Sequence, residues 1–192
     1  MVYNNQLVTY YSDQRNPSYG QYLVHQVSSD GVNWGPVVPD MQGTTYAERP
    51  GMTTIAPLPN NKWIMTFEYG VASPSFGVFY KISSSPLTFD SVSTQVLSAS
   101  GTIPTSSPYV VWSSAGGVNG TIVVSANSNT QIFINKKLGD PNSWVEYSTP
   151  QSGAYSRNLR VMDNPDWLLI LSAGYLGGNN YVTNSVVELP NL

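Results

Sequence analysis

Charge is scarce in this sequence: Asp, Glu, Lys and Arg together make up 10% of its 192 residues, against roughly 25% in an ordinary soluble domain. Coiled coils and long surface helices need Glu and Lys on their solvated faces, and disordered tails need low hydrophobicity with high net charge. A chain that is 41% hydrophobic fits neither class. Eight basic against eleven acidic residues give a net charge of -3, which leaves no surplus of cations for a phosphate backbone and argues against nucleic acid as a partner. Cysteine is absent, which excludes disulfides, thiolate metal ligands and a thiol nucleophile. The single histidine, His25, lies between Val24 and Gln26 and reads as a hydrogen-bonded packing residue. A Ser-His-Asp triad would have to use it, and no Gly-x-Ser-x-Gly elbow accompanies it. With no His-rich spacing and no phosphate-binding glycine loop, neither a metal nor a cofactor is expected. Long apolar runs are missing too. Trp167 to Leu171 is the longest, far short of the ~20 residues that span a bilayer, so no membrane partner is expected. The opening residues Met1 to Asn5 carry neither the basic segment nor the apolar region of a secretory signal.

What is abundant points to strands and turns. Thirteen Tyr and five Trp accompany sixteen Gly and fourteen Pro; aromatic and β-branched residues favour strands, and Gly, Pro, Asn and Ser punctuate them. About eleven short apolar or alternating runs follow one another: 6–11, 21–27, 51–56, 62–69, 77–83, 109–113, 121–126, 131–135, 159–162, 167–172 and 181–188. Turns recur as well. Asn4-Asn5, Asn60-Asn61, Asn119-Gly120 and Pro165-Asp166 each open a new run, and their second residues are 56, 59 and 46 positions apart. That spacing is close to the ~40–50 residues of a four-stranded propeller blade. A second marker repeats on the far side of each unit, where a polar turn ends in an aromatic: Ser28 to Trp34, Ser83 to Phe89, and Asn135 to Trp144. The first resembles the Asp-box of sialidase-type propellers, with Asp30 capping backbone amides and Trp34 packing between strands, a structural role. The expected fold is an all-β propeller of antiparallel blades, about three and a half of them in one partial domain over 1–192, the first without an inner strand. Either a longer propeller or pairing with a second copy completes such a ring, since propellers carry ~4–8 blades.

In a propeller the innermost strand of each blade lines the channel, and ligands sit at one mouth of it. The segments entering those strands are Tyr46 to Met52, Pro104 to Tyr109, and Ala154 to Arg160. Glu48, Arg49, Tyr155 and Arg157 stand there, two of the four arginines among them, and suggest a polar pocket; Tyr109 and Tyr155 suit stacking on a sugar ring. Glu68 is more pointed. It ends an otherwise apolar strand in which Trp63, Met65, Phe67 and Tyr69 share one face and Ile64, Thr66 and Glu68 the other. A carboxyl in apolar surroundings is favoured in its protonated form, which suits a general acid. Asp13, in Tyr10-Tyr11-Ser12-Asp13-Gln14-Arg15, ends the equivalent strand of the preceding unit, so Asp13 and Arg15 are read as facing the same mouth.

These residues resemble glycoside hydrolase family 93, the fungal exo-arabinanase-like enzymes. The resemblance rests on Tyr10 to Arg15, Leu23-Val24-His25-Gln26, Asn33 to Val38, Arg49-Pro50-Gly51-Met52, Phe67-Glu68-Tyr69-Gly70, Pro104 to Trp112 and Ile122 to Ser128, and it runs over nearly the whole chain in order. It implies a six-bladed, secreted, extracellular enzyme that releases arabinobiose from α-1,5-linked arabinan by a retaining mechanism, with the polysaccharide as partner. It places Glu68 as general acid/base and Tyr155 beside the nucleophile; Asp13, Arg15, Glu48, Arg49, Tyr109 and Arg157 are read, from their positions, as contributing to substrate binding. The family nucleophile is a Glu on an inner strand ahead of Tyr10 to Arg15, and no residue of this sequence matches it. Retaining hydrolysis needs two carboxyl groups about 5–5.5 Å apart, so the chain supplies half of the pair unless Asp13 or Glu48 substitutes. A non-catalytic carbohydrate-binding propeller and a sialidase-like hydrolase are the alternatives; the latter needs several convergent arginines.

Overall fold

The computed structural model describes residues 1–71, 75–127, 130–175 and 181–189. Fifteen strands form four antiparallel sheets, each wound in chain order, with a 3-10 turn at Phe89–Ser91 and no α-helix among the described residues. Sheet 1 holds β1 (Val2–Tyr3), β2 (Gln6–Asp13), β3 (Tyr22–Ser28) and β4 (Val38–Met41). Sheet 2 holds β5 (Pro50–Leu58), β6 (Lys62–Tyr69), β7 (Gly77–Ser83) and β8 (Gln95–Val96). Sheet 3 holds β9 (Tyr109–Ser113), β10 (Thr121–Ser125), β11 (Gln131–Asn135) and β12 (Trp144–Ser148), and sheet 4 holds β13 (Arg157–Val161), β14 (Trp167–Ser172) and β15 (Thr183–Glu188). These are propeller blades, and the eleven runs read from the sequence all fall on them. The four strands the pattern missed are β1, β4, β8 and β12; β1 and β8 are two residues long, and β4 carries Pro39, so periodicity has little to act on. The first blade does have an inner strand, in short form. Val2 and Tyr3 pair with Leu7 and Gln6, and Met1 exchanges two 2.9 Å backbone hydrogen bonds with Val8.

The asparagine pairs explain the tight corners. Asn4 and Asn5 sit at φ 48° and 59°, and Asn60 and Asn61 at 63° and 56°, the left-handed conformation that two-residue hairpins require and that Asn tolerates. Asp30 caps its turn by accepting from the amides of Val32 (2.8 Å) and Asn33 (2.7 Å). Its aromatic departs from the expectation: Trp34 is 40% exposed, whereas Phe89 and Trp144 at the matching points are buried. Phe89 packs with Leu23 and Met65 between sheets 1 and 2, and Trp144 meets Tyr80 edge to face between sheets 2 and 3. Among the described residues sheet 1 has a neighbouring sheet on one side only. Ser128, the last residue of the matching segments, falls outside the described residues.

Three apolar seams hold the four sheets side by side. Leu23, Met65, Phe67 and Phe89 fill the first; Ile64, Val78, Ile122, Val124 and Phe133 lie in the second; Val123, Ile132, Ile134, Leu168 and Ile170 lie in the third. Alternation within β6 and β10 thus feeds opposite seams from one strand, which explains why both read as near-continuous apolar runs. A polar pin crosses the first seam. His25 Nδ1 lies 3.0 Å from both carboxylate oxygens of Asp40, both residues are buried, and the buried Lys81 ammonium donates to the carbonyls of Asp40 and Phe89 at 2.9 Å each. His25 is the hydrogen-bonded packing residue expected. Among the described residues no helix is long and apolar enough to cross a membrane, and no cluster of three His, Cys, Asp or Glu gathers as for a metal.

Candidate active site

In sheets 2, 3 and 4 the inner strand begins beside the end of the second strand: Pro50 pairs with Tyr69, Gly51 with Glu68, Tyr109 with Ser125, and Arg157 with Ser172. One rim therefore collects strand starts and strand ends, and Glu68 stands on it. Its Oε2 accepts from the Ser106 hydroxyl (2.9 Å) and from the Ser107 amide (2.8 Å). No donor among the described residues reaches Oε1. The two serines belong to the loop that enters sheet 3, so the carboxylate of sheet 2 is gripped across the second seam. Both are left-handed, at φ 63° and 45°, an unfavourable conformation for residues with a Cβ that persists where the surroundings enforce it. The enforcement is visible: the Ser106 amide donates to Phe76 O (2.8 Å), and its carbonyl accepts from the Asn127 amide (2.9 Å).

In front of Glu68 the strand carries no side chain. A Cβ at Gly51 would lie 2.6 Å from Gln21 Nε2 and 3.6 Å from Glu68 Oε1. The inner strand is also irregular here, with its register shifting between Gly51 and Thr54 and Met52 at φ 52°. Gln21 reaches over from sheet 1. Its Nε2 donates to Pro50 O at 2.8 Å, and its Oε1 accepts from Gln14 Nε2 (2.8 Å) and from Arg49 Nη2 (3.2 Å).

The other expected residues divide into those at the rim and those drawn elsewhere. Arg49 is exposed beside Gln21, and Tyr155 is 39% exposed, its amide donating to Gly174 O at 2.9 Å. Asp13 is buried and chelated by its own neighbour: Arg15 gives it Nε (2.9 Å), Nη2 (2.6 Å) and its backbone amide (2.8 Å). Those bonds hold the Asp13 carboxyl down to about 2. Glu48 is likewise committed. It accepts from the Tyr69 hydroxyl (2.8 Å) and from the amides of Thr44 and Thr45, and these bonds, the hydroxyl first, keep its carboxyl below the ordinary value. Burial raises the Tyr69 hydroxyl in turn. Neither carboxylate stands free as a second reacting group. Tyr109 is half-buried and packs against the third seam. Arg157 is 1% exposed, not at an open mouth: Nη2 donates to Ala126 O (2.6 Å) and Gln131 O (2.7 Å), and burial lowers the guanidinium to about 10, which leaves it cationic at neutral pH. The sequence reading overlooked Ser106, Ser107, Gln21 and Gly51. Ser106, Ser107 and Gly51 lay in the segments that enter inner strands, their only advance signal, and Gln21, at the start of the run 21–27, had none.

A sialidase needs converging guanidinium groups, and the four arginines do not converge. Arg15 is tied to Asp13, Arg49 to Gln21, Arg157 is sealed in the third seam, and Arg160 sits on the outer face of sheet 4. No protein-family model matches the sequence, and comparison with curated proteins finds no match. Solved structures do match. A mutant α-L-arabinofuranosidase from Fusarium graminearum bound to an iminosugar inhibitor is 42% identical over 100% of this chain and 57% of its own, with a TM-score of 0.96. The GH93 α-L-arabinofuranosidase of the same fungus in complex with arabinobiose shows the same identity and coverage with a TM-score of 0.95. An α-L-arabinanase from Penicillium chrysogenum complexed with arabinobiose is 45% identical over 98% of this chain and 56% of its own, with a TM-score of 0.94. The chain thus spans a little over half the length of these proteins.

Proposed function

This chain belongs to glycoside hydrolase family 93, and from that membership we propose that it carries the acid/base side of an active site for α-1,5-linked arabinan, with Glu68 as the acid/base. The observation that carries the reading is the asymmetry of Glu68, one oxygen gripped by Ser106 and Ser107 and the other uncommitted at an open rim. Arabinobiose bound to the Fusarium and Penicillium proteins supports the substrate class. In the proposed reaction the free oxygen gives its proton to the leaving glycosidic oxygen as the C–O bond breaks and its electron pair moves to that oxygen. A second carboxylate, matched by no residue of this sequence, bonds to the anomeric carbon as the first bond breaks and is released when water attacks that carbon, the Glu68 carboxylate taking the water's proton. Arg49 and Tyr155 border the sugar, and the work is done outside the cell.

A second reading is favoured by Asp13 and Glu48, both fully engaged: the chain by itself binds sugar without cleaving it, and its open sheet edges drive self-association. Calorimetry with arabinobiose and product analysis on linear arabinan test both. The expected outcome is measurable binding, with any arabinobiose release abolished by Glu68→Gln. Release that Glu68→Gln leaves unchanged overturns the acid/base assignment, and a folded chain that does not bind arabinobiose overturns the substrate class.

A further inference from the structure

The gap at Gly51 is framed by two groups with unmet capacity. Gln21 Oε1 has both lone pairs occupied, by Gln14 and Arg49, which fixes the amide and leaves it unable to swap ends. Its Nε2 carries two hydrogens and gives one to Pro50 O, so one N–H remains uncommitted on the atom that borders the gap. On the other side lies Glu68 Oε1, also uncommitted among the described residues. The absent side chain gives the amide its place: a methyl group at position 51 would lie 2.6 Å from Gln21 Nε2, closer than real contacts allow, while meeting Glu68 Oε1 at an ordinary 3.6 Å. An uncommitted amide donor beside the reacting carboxyl suits an oxygen that accepts, and a sugar hydroxyl supplies one.

We propose that Gln21 and Gly51 form a hydroxyl-recognising subsite beside Glu68, with Gln21 donating to one sugar hydroxyl and Gly51 supplying the room in which the Gln21 amide sits. The proposal rests on the arabinan reading of the same rim. Its energetic logic is pre-organisation. Three hydrogen bonds hold the Gln21 amide before any ligand arrives, so little side-chain freedom is lost on binding. Removing a site donor that a bound hydroxyl uses leaves that hydroxyl unpaired, a loss of roughly tenfold in affinity.

A double-mutant cycle read by calorimetry with arabinobiose tests this, with the thermal midpoint of each variant as the check on folding. Gln21→Ala and Gly51→Ala are each expected to weaken binding about tenfold, and Ser185→Ala on sheet 4 to leave it unchanged. The two losses are not expected to add, because the methyl group acts by displacing the Gln21 amide, so Gly51→Ala has little further effect once Gln21 is alanine. Unchanged affinity in Gln21→Ala, or fully additive losses, overturns the subsite while the arabinan reading stands. A folded wild-type chain that fails to bind arabinobiose overturns both.

Discussion

Asp13 shows how a residue that looks like site chemistry can be spent on architecture. Its side chain is 3% exposed while that of its partner Arg15 is 70% exposed, so the pair seals the end of β2 with the carboxylate inward and the guanidinium in water. A carboxylate whose folded pKa lies below its unfolded value stabilises the fold above the unfolded value and loses that contribution as pH falls through the folded one. With the folded value at about 2, the window runs from about 4 down to about 2. The thermal midpoint of the wild-type chain, followed by circular dichroism, is expected to fall through that window relative to Asp13→Asn, whose profile stays flatter. Parallel slopes in the two proteins refute the assignment. The same residue scale explains one misplaced expectation. Arg157, Leu159 and Val161 alternate onto one face of β13, and Leu159 lies in the third seam, so parity sends the guanidinium into the seam. Position at a strand start indicated the rim; the period of two decided the direction.

Strands record their surroundings more faithfully than loops do. The alternation of β6 was legible in the sequence because burial on both faces of a blade repeats every two residues, and it placed Glu68 correctly opposite Trp63 and Phe67. The grip on that carboxylate was not legible. It depends on two successive left-handed serines some forty positions away, which leave no periodic trace. Element position also sets the cost of substitutions. Phe133, on β11, is 1% exposed in the seam between sheets 2 and 3, so Phe133→Ala is expected to cost about 3–5 kcal/mol. Val186, on β15, is 45% exposed on the outer face of sheet 4, and Val186→Ala is expected to change stability by about 0.5 kcal/mol or less. Chemical denaturation of both variants checks the contrast. Equal losses would mean that sheet 4 is packed on both faces.

At the scale of the whole molecule the sheets form an arc with unequal ends. Sheets 2 and 3 are covered on both sides, whereas Trp167, Leu169 and Val186 stand on the uncovered face of sheet 4 around a cavity of about 320 Å³ that Trp167 and Leu169 line. At the other end, the edge of β2 past Val8 has no strand beside it among the described residues, and a cavity of about 280 Å³ opens there between β2, β5 and β9. An apolar face and an unpaired edge invite association. Light scattering is expected to show an average mass that rises above 20.9 kDa with concentration, and Val186→Lys to delay that rise. A concentration-independent monomer overturns the expectation. The serine grip also reaches this scale, because Glu68 belongs to one sheet and Ser106 and Ser107 to the entry of the next. The carboxylate is aimed only while those two sheets are closed on each other. A chain caught with that seam open would hold every rim residue yet present Glu68 loosely, so the aim of that carboxylate reports that sheets 2 and 3 have docked.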